Sequence, residues 1–374
     1  MLTGSVETVL IVASSGRMLA QAAKNAGLKP LVIDLFADLD TQSYAEDFRQ
    51  IKSLAGQDLA PAVDDFVERY AVTHVIYGSG FEYYPESLRY LGSRLTVLGN
   101  HPDVFANLQN KQVFFSTLDD LNIPHPEVAF SAPDPAGGWL MKPMQGQGGI
   151  GIKRYRASDS ADNSVYWQKF QAGTLHSVLF LADGQQVQVV GFNTQWSVSL
   201  SETQEFVFSG VTNSADLPDE HKAVVTGWLK QMVPAFGLRG LNSLDFIHAD
   251  GCSHVLEINP RPSASMQLYD EGLLVRHIKA SQGEFAIDAL PSSAHPTGYQ
   301  IVYAGHDLTI PDQFEWPEYC VDLPESGSFI RTGQPICSII AHQNESQSVS
   351  EQLLTKQQLI INKLEGFDRH GIYS

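Results

Sequence analysis

The run Val9-Leu10-Ile11-Val12-Ala13 carries no polar residue and is followed at once by Ser14-Ser15-Gly16-Arg17. A strand that is apolar on both sides must be covered on both sides, which is the condition of a parallel sheet flanked by helices. The segments that follow keep to that plan. Residues 18–26 read as a helix ending at Gly27, and Lys29-Pro30 leads into a second strand at 31–34. Further strands are expected at 73–77, before Gly78-Ser79-Gly80, and at 95–98, before Gly99-Asn100. Residues 1–105 are thus expected to form a Rossmann-like α/β domain. The turn after its first strand lacks the full glycine fingerprint of dinucleotide sites, so neither NAD nor FAD is expected.

The middle of the chain has another pattern. Residues 102–121 read as one helix, and Ile123-Pro124-His125-Pro126 as a connector. A short strand at 139–142 runs into Pro143 and the loop Gln145-Gly146-Gln147-Gly148-Gly149-Ile150-Gly151. Residues 177–182 and 187–192 flank Asp183-Gly184, a strong hairpin signal. An amphipathic helix is expected at 221–236, then strands at 243–248 and 254–258 around Asp250-Gly251. The segment 106–292 therefore reads as α+β with largely antiparallel sheets, divided into a small lobe (about 106–185) and a large lobe (about 186–292). Residues 293–374 read as a β-rich region with a closing helix at 349–363, and 327–341 as a hairpin.

A formal charge of -18 argues against nucleic acid or an anionic membrane surface as partner, since both need a basic field. It leaves room for a polyanionic small molecule held by a local cluster of cations. The first apolar run is too short to span a bilayer and has no basic leader, which points to a cytoplasmic protein. Cys252, Cys320 and Cys337 show neither zinc spacing nor a disulfide framework.

Two groups of residues carry chemistry. Lys142 precedes a loop whose four glycines let backbone N–H groups approach phosphate oxygens, while the lysine adds a point charge. Alone, such a loop is equally compatible with a surface turn. Asp245 and Glu257 lie on consecutive strands across a tight turn, and Asn259 shares the face of Glu257 two residues on. Hard oxygen donors of this kind suit Mg²⁺ or Mn²⁺ held together with substrate phosphates. Arg261 follows, with a planar fork suited to a phosphoryl group. Glu82 stands just past the carboxyl end of a strand, where ligands of open α/β sheets bind, and is expected to receive an amine.

In their order along the chain, the N-terminal domain, Lys111, Leu140-Met141-Lys142-Pro143, the loop 146–151, Asp245 and Leu256-Glu257-Ile258-Asn259-Pro260-Arg261 resemble the ATP-grasp superfamily. The resemblance covers roughly residues 5–290. It implies an ATP-grasp fold with an N-terminal pre-ATP-grasp domain. It also implies ATP bound by Lys111 and Lys142 under a lid formed by Gly146, Gly148, Gly149 and Ile150. Asp245, Glu257 and Asn259 correspond to the metal ligands, and Lys142 and Arg261 to the catalytic cations. Gln168-Lys169-Phe170-Gln171 resembles the adenine hinge, with Gln168 where an acidic residue is usual. His176 falls where a ribose contact is common; a plain structural histidine is as good a reading.

More narrowly, Gly78-Ser79-Gly80-Phe81-Glu82, the segment 257–262 and the tail from Trp316-Pro317 to Gly333-Gln334-Pro335-Ile336-Cys337 resemble predicted carboligases similar to tyramine–glutamate ligase of methanofuran biosynthesis. That resemblance implies an ATP-dependent carboxylate-amine ligase that forms an amide through an acyl phosphate, releases ADP and phosphate, and serves one-carbon cofactor biosynthesis. A small carboxylate and an amine are the implied partners, and a homodimer is compatible with it. An ATP-grasp carboxylase, a kinase and a nucleotide-binding regulatory protein are the alternatives. Biotin dependence has no support, because the one Met-Lys pair, Met141-Lys142, belongs to the phosphate loop.

Overall fold

The computed structural model describes residues 6–134, 137–160, 162–269, 272–285, 295–343 and 347–370, with side chains to 366. The first apolar run becomes β1 (Thr8–Val12), followed by α1 (Arg17–Asn25), β2 (Lys29–Asp34), α2 (Leu39–Tyr44), β3 (Asp47–Gln50), α3 (Gly56–Tyr70), β4 (His74–Tyr77), α4 (Pro85–Arg94) and β5 (Thr96–Val97). The strands pair in parallel in the order β3-β2-β1-β4-β5. The chain moves outward from β1 to β3 and then crosses back to β4. The carboxyl ends of β1 and β4 therefore flank a topological switch point, where open α/β sheets hold ligands.

Alternation within β1 explains the unbroken apolar run. Leu10 and Val12 pack on one face with Leu59, Val63 and Phe66 of α3 and Leu88 and Leu91 of α4. Val9 and Ile11 pack on the other with Leu19, Ala20 and Ala23 of α1, in a core that continues into Leu179, Leu181 and Leu241 of the next sheet. The N-terminal domain thus shares its core with the rest of the chain.

The expected helix over 102–121 is two helices, α5 (Pro102–Gln109) and α6 (Lys111–Asp120). Asn110 between them has extended backbone (φ -74°, ψ 97°), and its side chain accepts a hydrogen bond from the Val113 N–H at 3.3 Å. Asparagine is a favoured N-cap because it satisfies such a free donor, so the apolar periodicity continues while the helix restarts. Lys111 becomes the first residue of α6.

A four-stranded antiparallel sheet follows from β6 (Val128–Ala129), β7 (Trp139–Pro143), β8 (Lys153–Arg154) and β9 (Val165–Lys169), in the order β6-β9-β7-β8. The glycine loop is the β7–β8 connection. Next come β10 (Thr174–Asp183), β11 (Val187–Val198), β12 (Val207–Thr212), α7 (Asp219–Phe236), β13 (Arg239–Ala249), β14 (Cys252–Asn259), α8 (Leu273–Ser281), β15 (Thr297–Tyr303), β16 (Leu308–Thr309), β17 (Cys320–Val321), β18 (Phe329–Ile330), β19 (Pro335–His342) and α9 (Val349–His370). Eight of these strands form one antiparallel sheet, β14-β13-β10-β11-β12-β15-β19-β17.

Two expected boundaries move. β10, placed in the small lobe by a boundary near 185, is a central strand of the large sheet. Val178, Phe180 and Ala182 enter one core and Leu179 and Leu181 another, so both its faces are buried. The C-terminal region is not separate from that sheet, since β15, β17 and β19 extend it through β12. Nor do residues 327–341 form a hairpin: β18 pairs with β16, and β19 with β15 and β17. Among the described residues no helix is long and apolar enough to cross a membrane.

Candidate active site

Lys142 and Gln168 meet because of strand register. In the β7–β9 ladder Lys142 opposes Tyr166 and Leu140 opposes Gln168. Residues two apart share a face, so Lys142 and Gln168 are diagonal neighbours. The Lys142 ammonium donates to Gln168 Oε1 at 2.6 Å. Burial lowers the Lys142 pKa to about 8; Lys111 pushes the same way, and Glu257 and Asp245 oppose it. The Lys142 ammonium, on β7, therefore lies within electrostatic reach of Lys111 on α6, Asp245 on β13 and Glu257 on β14.

The β13–β14 ladder assembles the acidic set. Asp245 opposes Glu257 and Ser243 opposes Asn259, and the register slips just beyond Asp245. Asn259 Nδ2 donates to Asp245 Oδ2 at 3.1 Å, and Gln195 Nε2 donates to Asp245 Oδ1 at 3.1 Å. The Asp245 pKa is pushed up to about 7, first by burial and then by the charge of Glu257, against the donors Gln195 and Asn259 and the charge of Arg261. Two carboxylates facing each other in an enclosed place, with an amide oxygen beside them, are what a divalent cation relieves. By donor chemistry these residues fit Mg²⁺ or Mn²⁺.

Arg261 lies just past β14. Its Nη2 donates to Asn259 Oδ1 at 3.1 Å, and its Nε to Glu82 Oε1 at 2.7 Å. The other oxygen, Glu82 Oε2, accepts from the Gly80 N–H at 2.8 Å. The Glu82 side chain is 3% exposed and that of Arg261 10%. Both Glu82 oxygens are thus engaged and the group is enclosed, so in this structure its side chain holds the arginine.

The glycine loop rests on the large sheet. The Phe208 N–H donates to the Gly148 carbonyl at 2.9 Å. A Cβ on Gly149 would sit 1.9 Å from the Phe206 carbonyl oxygen, and its φ of +75° is itself unfavourable to a side chain. Only glycine permits this approach. Ile150 remains exposed, and a Cβ on Gly146 would contact the Pro143 ring at 3.0 Å. Next to the loop, the Arg154 guanidinium donates to Glu205 at 3.1 Å and lies 4.5 Å from the Phe170 ring centroid. Phe170 in turn meets Phe206. The small sheet is thus latched to the start of β12.

The expected hinge has committed part of its backbone. The Lys169 N–H donates to Glu127 and the Phe170 N–H to Gly138, each at 2.8 Å, so neither is free for a nucleobase. The Gln171 side chain bonds locally to the Ala172 carbonyl. His176 is buried, stacks on Phe246, and shares Nδ1 with the Asn193 carbonyl at 3.2 Å. That bond places the proton on Nδ1, and burial lowers the ring's pKa. His176 Nε2, Gln168 Nε2 and Gln147 Oε1 are buried and lack hydrogen-bond partners. Buried polar atoms are rarely left so, and these three belong to the segments expected to surround a nucleotide.

Sequence reasoning missed Gln195, the Arg154–Glu205 latch, and the buried Arg17, whose Nε donates to Asp322 Oδ1 at 2.9 Å. None belongs to a motif; each is defined by a partner distant in sequence.

Two sheets closing on one cleft, behind a parallel N-terminal domain, make this an ATP-grasp fold, and residues 108–265 match the family model described as the ATP-grasp domain. That segment runs from just before Lys111 to just past Arg261 and excludes Glu82. Among solved structures, the biotin carboxylase–β-γ-ATP complex of Campylobacter jejuni superposes with a TM-score of 0.71, covering 91% of this chain and 88% of that one at 13% identity. N5-carboxyaminoimidazole ribonucleotide synthetase of Thermotoga maritima gives 0.67, with 94% and 98% covered at 13% identity. The arginine-specific large chain of carbamoyl phosphate synthase of Geobacillus stearothermophilus is 23% identical over 228 residues, 55% of this chain and 22% of that relative. The chain spans about a fifth of that relative's length.

Proposed function

We propose that the protein is an ATP-dependent carboxylate-amine ligase that forms an amide through an acyl phosphate. The observation that carries this reading is the convergence of Lys111, Lys142, Asp245, Glu257, Asn259 and Arg261 in one cleft, from elements spread over 150 residues. A protein that only bound a nucleotide would not need the acidic set and the arginine together with both lysines.

In this reading Lys111 and Lys142 face the phosphates of ATP, and Gln168 and His176 offer their unpartnered atoms to the nucleoside. Asp245, Glu257 and Asn259 would hold Mg²⁺ or Mn²⁺, which neutralises phosphate charge when bound. A carboxylate oxygen of the acid attacks the γ-phosphorus, the bond to the β,γ-bridging oxygen breaks, and ADP leaves. The amine nitrogen then attacks the acyl carbon, the bond to phosphate breaks, and the nitrogen gives up a proton to solvent. Arg261, held by Glu82 and Asn259, stabilises the negative charge on the transferred group. The glycine loop, seated on Phe206 and Phe208, keeps water from the acyl phosphate.

The test is product analysis with a panel of acids and hydroxylamine as the trapping amine. Hydroxamate formed in step with ADP and phosphate supports the ligase. AMP and pyrophosphate, or ADP formed only with a hydroxyl acceptor, refutes it; the second outcome indicates a kinase. ADP release dependent on bicarbonate alone indicates a carboxylase.

A further inference from the structure

The acid of a ligation has two carboxyl oxygens, and only one of them attacks phosphorus. The other needs a donor, and the chain just past Arg261 carries one. Ser263 Oγ and Ser265 Oγ lie 2.9 Å apart, and neither has another partner among the described residues. Two hydroxyls share one hydrogen bond, so one O–H is left over. Ser263 precedes the 3₁₀ turn Ala264–Leu268, a position from which a serine commonly caps free N–H groups, yet its side chain makes no capping bond.

Burial decides which hydroxyl is spare. Ser265 is 3% exposed, whereas Ser263 is half-buried. Were Ser263 the donor, the Ser265 hydrogen would be enclosed without an acceptor, which costs more than the bond returns. Ser265 therefore donates to Ser263, and the Ser263 hydrogen points to the more open side. Accepting that bond polarises the Ser263 O–H and makes it a better donor.

Arg261 has donors to spare at the same place. Its Nε is taken by Glu82 and its Nη2 donates to Asn259, while Nη1 has no partner among the described residues. The segment that follows is firmly seated. Ala264, Leu268 and Tyr269 pack with Val211 and Tyr299 of the large sheet, and Met266 enters the core shared with the N-terminal domain. The Tyr269 hydroxyl donates to Asn193 Oδ1 at 2.6 Å, and the Leu268 carbonyl accepts from Asn213 Nδ2 at 2.8 Å. Ser263 is thus held two residues from Arg261 on a supported stretch of chain.

We propose that Ser263 and the Arg261 Nη1 group receive the carboxylate of the acid co-substrate. The proposal rests on the ligase reading for the identity of that carboxylate as a substrate. The planar fork of an arginine matches a carboxylate, and a hydroxyl adds a donor without adding charge. During phosphoryl transfer Ser263 donates to the oxygen that does not attack. That oxygen becomes the acyl carbonyl and takes up negative charge when the amine nitrogen adds to the carbon, so the same hydrogen bond strengthens in the second step. The Ser263 proton stays on its oxygen throughout. The attacking oxygen is bonded to the transferred phosphoryl group, so one guanidinium serves both the acid and that group.

The test is calorimetric titration of the MgADP-loaded full chain with acetate, with acetamide as the neutral isostere and inorganic phosphate as the competing anion. Wild-type protein should bind acetate in preference to acetamide. Ser263→Ala should weaken acetate binding about tenfold, the effect of one hydrogen bond to a charged group, with MgADP affinity unchanged. Ser263→Thr keeps the hydroxyl and should stay within about threefold of wild type, as should Ser265→Ala, which leaves Ser263 its own hydrogen. Ser263→Cys, a weak donor, replaces the alanine variant should that one not fold. Acetate binding that is absent, unaltered by loss of the hydroxyl, or weakened equally by Ser263→Thr overturns the proposal. So does an affinity that depends on Ser263 for phosphate but not for acetate. The readout needs no turnover, so the two readings fail separately. Hydroxamate formation with Ser263-independent acetate binding removes this site and leaves the ligase. Ser263-dependent acetate binding without hydroxamate from any acid leaves the carboxylate site and removes the ligase.

Discussion

Glu82→Gln tests whether the N-terminal domain positions the arginine of the site. In the native arrangement one carboxylate oxygen accepts from Arg261 Nε at 2.7 Å and the other from the Gly80 N–H at 2.8 Å. A glutamine has one carbonyl oxygen for these two donors. In either orientation its NH₂ group faces an N–H, so one buried donor loses its acceptor. Converting a charge-assisted bond to a neutral one costs about 1 kcal/mol, and leaving a buried donor unsatisfied costs about 1–3 kcal/mol. The expected loss of stability is therefore about 3 kcal/mol, read as a fall in the urea unfolding midpoint. If about half of that appears as misplacement of Arg261 in the transition state, kcat falls roughly tenfold with little change in the KM for ATP. ADP release with hydroxylamine as acceptor measures it. Combining the substitution with Arg261→Ala should add little to the effect of Arg261→Ala alone, since the residues act as a pair. An unchanged kcat and unfolding midpoint with a raised KM for the amine would refute this reasoning and return Glu82 to the role its sequence position indicated.

Glu257→Gln should abolish turnover, by two orders of magnitude or more at saturating Mg²⁺, while circular dichroism and Tm stay near wild type; near-normal turnover would remove Glu257 from the metal set. Gly149→Ala should lower kcat at least tenfold and raise the KM for ATP, because the new Cβ meets the Phe206 carbonyl oxygen and the loop must lift from β12; unchanged kinetics would show that docking of the loop is unrelated to turnover. Stability should fall on acidification through His277, whose Nδ1 accepts from the Leu241 N–H at 2.8 Å and whose Nε2 donates to the Leu98 carbonyl at 2.9 Å. Burial lowers its pKa from 6.5 to about 4, so the neutral ring's contribution is complete above pH 6.5 and is lost as pH falls toward 4, by about 3 kcal/mol in all; an unfolding free energy flat across that window would contradict it.

What could be read from sequence follows from the range over which each constraint acts. A backbone that must approach phosphate needs glycine locally, and acids on one hairpin fall at fixed offsets, so Lys142, the loop, Asp245, Glu257 and Asn259 could be picked out as candidates, while it is the resemblance to the ATP-grasp superfamily that joins them into one set. The break at Asn110 was visible only as a cap residue inside a continuous apolar pattern, and periodicity does not report a helix that restarts in phase. β10 reads as half of a hairpin, which it is, but an apolar strand does not say which sheet it centres. Gly333 turns the chain between β18 and β19, yet each of those strands pairs elsewhere, and turn chemistry carries no information about that. Glu82 is the sharpest case. A loop carboxylate at a switch point reads as an amine receptor, and nothing local shows that its partner in the fold, Arg261, is 179 residues away.

The same pairing bears on the core that the N-terminal domain shares with the large sheet. Arg261 lies beyond the end of β14, where the ladder no longer fixes the chain. Pro260, just before it, has its carbonyl held by two groups from the N-terminal domain, the Tyr77 hydroxyl at 2.9 Å and Asn100 Nδ2 at 2.9 Å. Asn100 also donates to Asn242 Oδ1 at 2.7 Å and accepts from the Arg239 N–H at 2.7 Å, which joins the end of the parallel sheet to the start of β13. Glu82 then holds the arginine side chain. Backbone and guanidinium of the site's arginine are thus set by the N-terminal domain, while the acids beside it are set by the β13–β14 ladder. A displacement of the parallel sheet against the large sheet moves Arg261 relative to Asp245 and Glu257, and the buried leucines shared between the two sheets resist that displacement. The N-terminal domain therefore positions Arg261 against the acids of the large sheet, so any ligand that tightens its packing on that sheet acts on Arg261 directly.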